Sequence, residues 1–529
     1  MKKRMILIGV CLIVLMISTW GGAYKIDEAS PPAHRTFSLH PVEKTMEPTE
    51  NYKLIQIKCD RKYNPLPLDI PVTVSEGLQA HPSVEADYRN NPFLLYDSNE
   101  EDRFNSDIYI RRAINEGEKW PDTKVWVWRS DTNDIKPDIS MMDSGNRAFG
   151  THEVEEMEPY LYLHSYPDID NPGSWRVFRF DLSPETTYVK DTAITTYGMD
   201  TIVLTGVVDL EYHDYNLEDT LMAIWTTDIT KNEWPGLFLI NSDEKGSYPI
   251  SHVSAASGNN LYVAFQMTDP NGDSDVYVIY CPTNNVAFEN WRFSYPAGGR
   301  GNASYPDIAA SDKYVYLVVQ EDKYGSQDIV CYSSTSGSFW KKRIIASSSA
   351  DELYPVITAN GEEAICLFIK NGNLYKSQTK DGGDTWSKPE LVNDVFGMVS
   401  LGYRNVDAEG VWGIWTDTRN DEGDIYFDEV GDSPIISISN ITGGFSAKAV
   451  ISNYGTAPAE NIVWKIELDG AVIPESKAGI IPLLDAGEST VVKTDFILGF
   501  GTISIKVTAD YLTKRVDGLV IGSYLIILG

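Results

Sequence analysis

An all-β fold, in which a repeat-built β-propeller is followed by a small β-sandwich, is what this sequence predicts. Three observations carry that expectation. A Pro-led motif recurs along most of the chain, short runs of β-branched and aromatic residues alternate with Gly, Asn, Asp and Pro turns, and the rhythm changes after Gly431-Asp-Ser-Pro434. At 529 residues the chain exceeds what one core organises unless repetition builds it.

The N-terminus places Lys2, Lys3 and Arg4 before an apolar run from Met5 to Trp20, then Gly21, Gly22 and Ala23. That order reads residues 1–23 as a secretory signal peptide, which makes the protein secreted or cell-surface; an uncleaved N-terminal segment is the sole membrane attachment expected. Residues 24–52, with Pro31-Pro32, Pro41 and Pro48 and no apolar period, read as a linker. The propeller is expected over residues 53–433 and the sandwich over 434–529.

Within the propeller the clearest repeats are His81-Pro-Ser-Val, Tyr248-Pro-Ile-Ser, Tyr305-Pro-Asp-Ile and Tyr354-Pro-Val-Ile, and the register extends to Lys136-Pro-Asp-Ile, Tyr197-Gly and Tyr403-Arg-Asn-Val. The spacing is about fifty to sixty residues, the size of a four-stranded propeller blade. Each unit continues with a second strand such as Val315-Tyr-Leu-Val-Val, then a third that opens on Asp, as at Asp107, Asp275, Asp328 and Asp424. Seven blades are expected, with six as the alternative because residues 137–235 fit the pattern poorly. The last unit is one strand short, and Ile70-Pro-Val-Thr-Val-Ser ahead of the first unit would complete it and close the ring.

The segment Thr379-Lys-Asp381-Gly-Gly383-Asp-Thr385-Trp386 has the form Ser/Thr-x-Asp-x-Gly-x-Thr-Trp. In such a turn the Asp381 carboxylate can accept backbone N–H groups, Gly383 permits the turn geometry, and Trp386 can pack between blades. Degenerate copies end on Trp340 and Trp120. On this Asp box, residues of about 70 to 433 resemble the sialidase-like BNR-repeat propellers, and the resemblance implies a structural role for Thr379, Asp381, Gly383, Thr385 and Trp386. The region after Pro434 has about seven short strands in an immunoglobulin-like rhythm. With Asn453-Tyr-Gly455 and Leu484-Asp-Ala-Gly487 it resembles the CARDB modules of prokaryotic surface proteins, which implies a spacer or docking role.

The formal net charge of −32 excludes a nucleic-acid partner, since a polyanion would be repelled. Cys59, Cys281, Cys331 and Cys366 show no CxxC or His-paired spacing, which removes a cysteine zinc site.

Antiparallel strand order puts the Asp box on one propeller face and directs the search for a site to the other. There His81, Lys136, Tyr197, Tyr248, Tyr305, Tyr354 and Tyr403, with Arg404 beside the last, are expected one per unit at the channel mouth. They either stack on a glycan or a surface protein, or pack blade against blade. Asp269, Asn271, Asp273 and Asp275 place oxygen ligands at alternate positions, as calcium prefers, but without the Gly and Glu of an EF-hand; solvated turn residues are the competing reading. Sialidase chemistry implies an arginine cluster opened by an Arg-Ile-Pro-type motif. His81-Pro-Ser-Val stands in that place, so no catalytic residue is assigned. The expected function is glycan or protein binding without catalysis, with a divergent sialidase-like exo-glycosidase or lyase as the alternative.

Overall fold

The computed structural model describes residues 35–37, 40–41 and 69–529, apart from short stretches within the last span. The signal-peptide segment and Cys59 lie outside the described residues. The chain divides into two compact units, residues 1–430 and 431–529.

The first unit is built of antiparallel sheets that follow one another along the chain. The first holds Gln79–Ala86, Pro92–Ser98, Asp107–Arg112 and Val125–Trp128. The second runs from Asp134–Met141 to Arg176–Asp181, and the third from Thr186–Tyr197 to Trp234–Phe238. The fourth spans Ile250–Ser257 to Arg292–Ala297, the fifth Ala303–Ala310 to Lys341–Ala346, and the sixth Glu352–Asn360 to Glu390–Leu391. The seventh comprises Val406–Glu409, Trp412–Asp417 and Asp424–Glu429, and its outer strand is Ile70–Pro71. The first strand of each sheet packs against the first strand of the next, and that of the seventh against that of the first. This closed cycle of twisted antiparallel sheets is a propeller-like fold.

Closure uses the segment expected from the sequence. Ile70 pairs with Phe427 and Pro71 with Tyr426, the Val72 N–H bonds the Ile425 carbonyl, and the Ile425 N–H bonds Thr73 Oγ1 at 2.7 Å. Arg419 fastens the seam: its guanidinium reaches Asp69 at 2.6 Å, Asp394 at 2.7 Å and Asp417 at 2.8 Å. The stretch read as a linker is put to use here, since Arg35–Phe37 and His40–Pro41 pair with the outer strands of the third and second sheets.

Between neighbouring sheets lie apolar cores. One joins the third and fourth sheets through Val203, Leu221, Trp225, Val263, Phe265 and Trp291. Another joins the fifth and sixth through Tyr316, Val318, Cys331, Cys366 and Phe368. Cys281, Cys331 and Cys366 are buried free thiols.

The second unit has a three-stranded sheet, Ile436–Thr442, Lys448–Asn453 and Ser489–Lys493, and a larger sheet that includes Ala459–Asp469, Leu498–Ala509 and Leu512–Gly522. Ile438, Ala449 and Ile451 of the first share one core with Ile466, Ile505 and Val520 of the second.

Candidate functional site

In each of the first six sheets the pairing of the inner strand slips at a non-glycine residue with a left-handed backbone, and a residue of the same backbone stands at the entry to the seventh. The residues are His81, Lys136, Asp191, His252, Tyr305 and Tyr354, with φ between 47° and 53°, and Arg404 with φ 66° at the entry to the seventh sheet. In the first six sheets the ladder slips at this residue, as between Ala80 and Ser83 or between Ser304 and Asp307. Such a bulge costs about 1–3 kcal/mol in backbone strain and persists where neighbours hold it. They do: the N–H of Lys136 bonds Asp97 Oδ1 at 3.0 Å, that of Asp191 bonds Glu153 at 3.2 Å, and that of Tyr354 bonds Gln320 Oε1 at 3.0 Å. Each acceptor belongs to the second strand of the preceding sheet.

This corrects the sequence register in three places. The residues at the bulge of the third and fourth sheets are Asp191 and His252, not Tyr197 and Tyr248. Tyr197 ends its strand opposite Thr201 at the far hairpin, and Tyr248 is buried in the core between the third and fourth sheets. At the seventh sheet the left-handed residue is Arg404 rather than Tyr403. Proline follows the bulge residue at His81, Lys136, Tyr305 and Tyr354, so those four were visible; the other three lack it.

The bulges bring together the mouth. The His252 ring lies 4.3 Å from that of Tyr305 and 4.7 Å from that of Tyr403, and the Tyr305 ring meets that of Tyr354 edge-on at 4.8 Å. Tyr403 donates its hydroxyl to the Val253 carbonyl at 3.0 Å. Arg404 reaches the carbonyls of Lys136 at 3.3 Å, Thr192 at 2.6 Å and Val253 at 3.2 Å, so a side chain of the seventh sheet binds backbone of the second, third and fourth. Tyr403 and Arg404 therefore bridge inner strands across the channel, with both terminal nitrogens of the guanidinium bonded within the protein. His81 and Lys136 stand apart from the ring cluster, held by Asp97 at 2.7 Å and Glu153 at 3.3 Å.

A cavity of about 300 Å³ is lined by the inner strands, from Tyr305, Tyr354, Tyr403 and Arg404 to Glu85 and Glu409. Its wall is a ladder of clamps. Asp138 accepts the Ile194 N–H at 2.8 Å, Asp307 accepts the Ile357 N–H at 2.7 Å, and Asp407 accepts the Val84 N–H at 2.8 Å. Ser83 and Ser254 do the same for Ile139 and Ile308. Burial pushes Asp138, Asp307 and Asp407 above the usual carboxylate range, and pushes Glu409 up to about 7. Burial also lowers His252, so this ring is neutral at pH 7.

The Asp box lies at the other end of the strands. Asp381 accepts the Thr385 N–H at 2.9 Å and the Thr385 hydroxyl at 2.6 Å, while the Gly383 N–H bonds Thr379 Oγ1 at 3.1 Å. A Cβ on Gly383 would lie 3.0 Å from Ser333 Oγ of the preceding sheet, and one on Gly117 would lie 2.5 Å from Phe427. The glycine thus sits where the preceding sheet comes close, which is why the position tolerates no side chain. Trp386 packs against the core shared by the fifth and sixth sheets.

The calcium candidates do not converge. Asp269 Oδ1 accepts the N–H groups of Asn271 at 2.7 Å and Asp273 at 3.1 Å, and Asp275 takes the Tyr295 hydroxyl at 2.7 Å. Among the described residues no group of three or more His, Cys, Asp or Glu side chains is arranged to hold a metal.

The sequence matches no protein-family model. No curated protein matches it either. Among solved structures, the chain is similar to a Dyadobacter fermentans protein of unknown function, at 9% identity and a TM-score of 0.42, over 69% of this chain and 98% of that one. It is also similar to the polysaccharide lyase Uly1, at 8% identity and 0.41, over 75% and 100%. Trypanosoma rangeli sialidase matches at 10% identity and 0.36, over 92% of each chain. Likenesses this distant carry nothing about activity, and the fold rests on the sheets described above.

Proposed function

We propose that this is an exported cell-surface protein whose seven sheets are the blades of one propeller, and that the propeller mouth binds a glycan without catalysis. The second unit is then an immunoglobulin-like, CARDB-type module that spaces or docks it. The observation that supports the binding reading is the continuous cluster of partly buried rings of His252, Tyr305, Tyr354 and Tyr403. Sugar rings stack on such a surface. Sialidase-type chemistry draws no support from Arg404, whose two terminal nitrogens bond three backbone carbonyls. A glycan array tests this: binding by the native protein and its loss in the Tyr305→Ala/Tyr354→Ala variant are expected, and unchanged binding would return those tyrosines to blade packing.

A second reading, a divergent glycoside hydrolase or lyase, is favoured by one feature. Glu409, held up to about 7, and Glu85, raised by burial and by the neighbouring Glu409, are two carboxyls of the kind that serve general acid catalysis. Turnover of fluorogenic glycosides that disappears in Glu409→Gln would overturn the binding-only reading.

A further inference from the structure

The larger sheet of the second unit has two faces of different character. Along Leu498–Ala509, Leu512–Gly522 and Tyr524–Leu528 alternate residues point to opposite faces, and Ile503, Ile505, Val507, Val520 and Leu525 take the side of the core. A face turned to water is ordinarily polar, and half of the other face is: Lys506 stands opposite Arg515, and its ammonium meets Glu467 at 3.2 Å. The other half is apolar. Phe500 stands opposite Ile521 and Ile521 opposite Tyr524, and Leu519 opposite Ile526 forms the next row. Beside them the Tyr524 ring meets Phe445 edge-on at 5.7 Å, and Phe445 stacks on Phe496 at 6.0 Å.

These rings lie in the open. Phe500 is 72% exposed, Phe496 62%, Phe445 60% and Tyr524 51%, which at about 200 Å² per aromatic side chain leaves about 500 Å² of aromatic surface in water. Leu498, Ile521, Ile526 and Leu528 extend the same face. The patch then exceeds the roughly 300–600 Å² of a monomer's largest apolar patch, and it is on the order of the 800 Å² that each partner buries in a standard interface.

Charge says which partner fits. Residues 431–529 hold seven Lys and Arg against ten Asp and Glu, a net charge of −3 out of the chain's −32. Two copies of the second unit therefore approach each other with little of the repulsion that two copies of the first would meet. The border of the patch carries both signs, Asp517 and Arg515 along one strand and the Lys477–Asp495 pair at 2.5 Å next to Phe496 in the chain. A two-fold contact sets such a border against itself, acid against base, around an apolar centre. An anionic bilayer calls instead for a cluster of basic residues, and on this face Lys506 and Arg515 lie in the polar half.

We infer that the protein dimerises through this face, the apolar half of one copy packed on that of a second about a two-fold axis. The inference is independent of what the propeller binds. Its consequence is that each particle carries two propellers, so that two weak contacts with one polymer act together.

The test is sedimentation velocity of the exported chain, residues 24–529, across about 0.1 to about 100 µM. A species of twice the chain mass is expected, with a dissociation constant of about 10 µM or tighter. Phe496→Asp/Phe500→Asp should weaken it at least about hundredfold and leave the unfolding midpoint unmoved, because both side chains lie outside the core. A chain that stays monomeric to about 100 µM overturns the inference, and so does a dimer that the double variant leaves intact. If that variant does not fold, carbene labelling of the native chain decides: modification of Phe496, Phe500 and Tyr524 should fall severalfold as the dimer forms, and unchanged labelling overturns the assignment to this face. Phosphatidylcholine vesicles should not carry the native chain in flotation; a chain that floats with them as a monomer overturns the dimer in favour of a lipid surface.

Discussion

The two ends of the inner strands solve the same packing problem in opposite ways. At the Asp-box end the solution is absence: Gly117, Gly337 and Gly383 remove a side chain so that Phe427, Tyr262 and Ser333 of the preceding sheets can approach. At the mouth the solution is presence: full-sized residues are forced into left-handed backbone, and carboxylates, amides and Arg404 bind across sheets to keep them there. The first end is therefore rigid by shape. The second is rigid by hydrogen bonding, and keeps polar atoms to spare.

Gly117→Ala breaks the first solution most severely. Its φ is +96° and its new methyl would meet the buried Phe427 ring, so a loss of about 4 kcal/mol in denaturant unfolding is expected, with ligand binding per folded molecule unchanged. Arg404→Ala tests the second. Three carbonyls lose their donor, for about 3 kcal/mol by the same measurement. A loss below about 1 kcal/mol there would mean that the bulges hold themselves.

A smaller effect separates the ends by pH. The Glu409 carboxyl holds its proton more tightly folded, at about 7, than unfolded, at about 4, so its contribution to stability is present below about 4 and is lost as pH rises to 7. Melting temperatures measured at both limits should show Glu409→Gln stabilised relative to the native protein on the alkaline side only. Asp381→Ala, at an exposed turn, should cost about 1 kcal/mol or less at any pH above the carboxylate range. The smallest effect is expected from chelation of calcium, which should leave the melting temperature unmoved, since Asp269 bonds its own loop.

Much of the first end was legible in the sequence and much less of the second. The Asp box announces itself because a turn closed by Asp381 and Thr379 needs those residue types at fixed offsets, and a glycine where the neighbouring sheet intrudes. The closing strand at Ile70 was legible from a missing partner in the last unit. The bulge has no such signature. What defines it is a backbone angle and an acceptor one sheet away, so Asp191, His252 and Arg404 fill the position as well as Tyr305 does, and proline marks it in four cases only. Reading tyrosine as the mark led to Tyr197 and Tyr248, whose rings belong to the core between the third and fourth sheets.

The seam at Ile70–Pro71 also has a mechanical meaning. The strand Asp424–Glu429 is the last of the propeller before the chain passes to the second unit at Gly431, and it is hydrogen-bonded on both edges, to Trp412–Asp417 and to Ile70–Pro71. Because both edges are paired, Asp424–Glu429 cannot leave the seventh sheet without breaking two ladders at once.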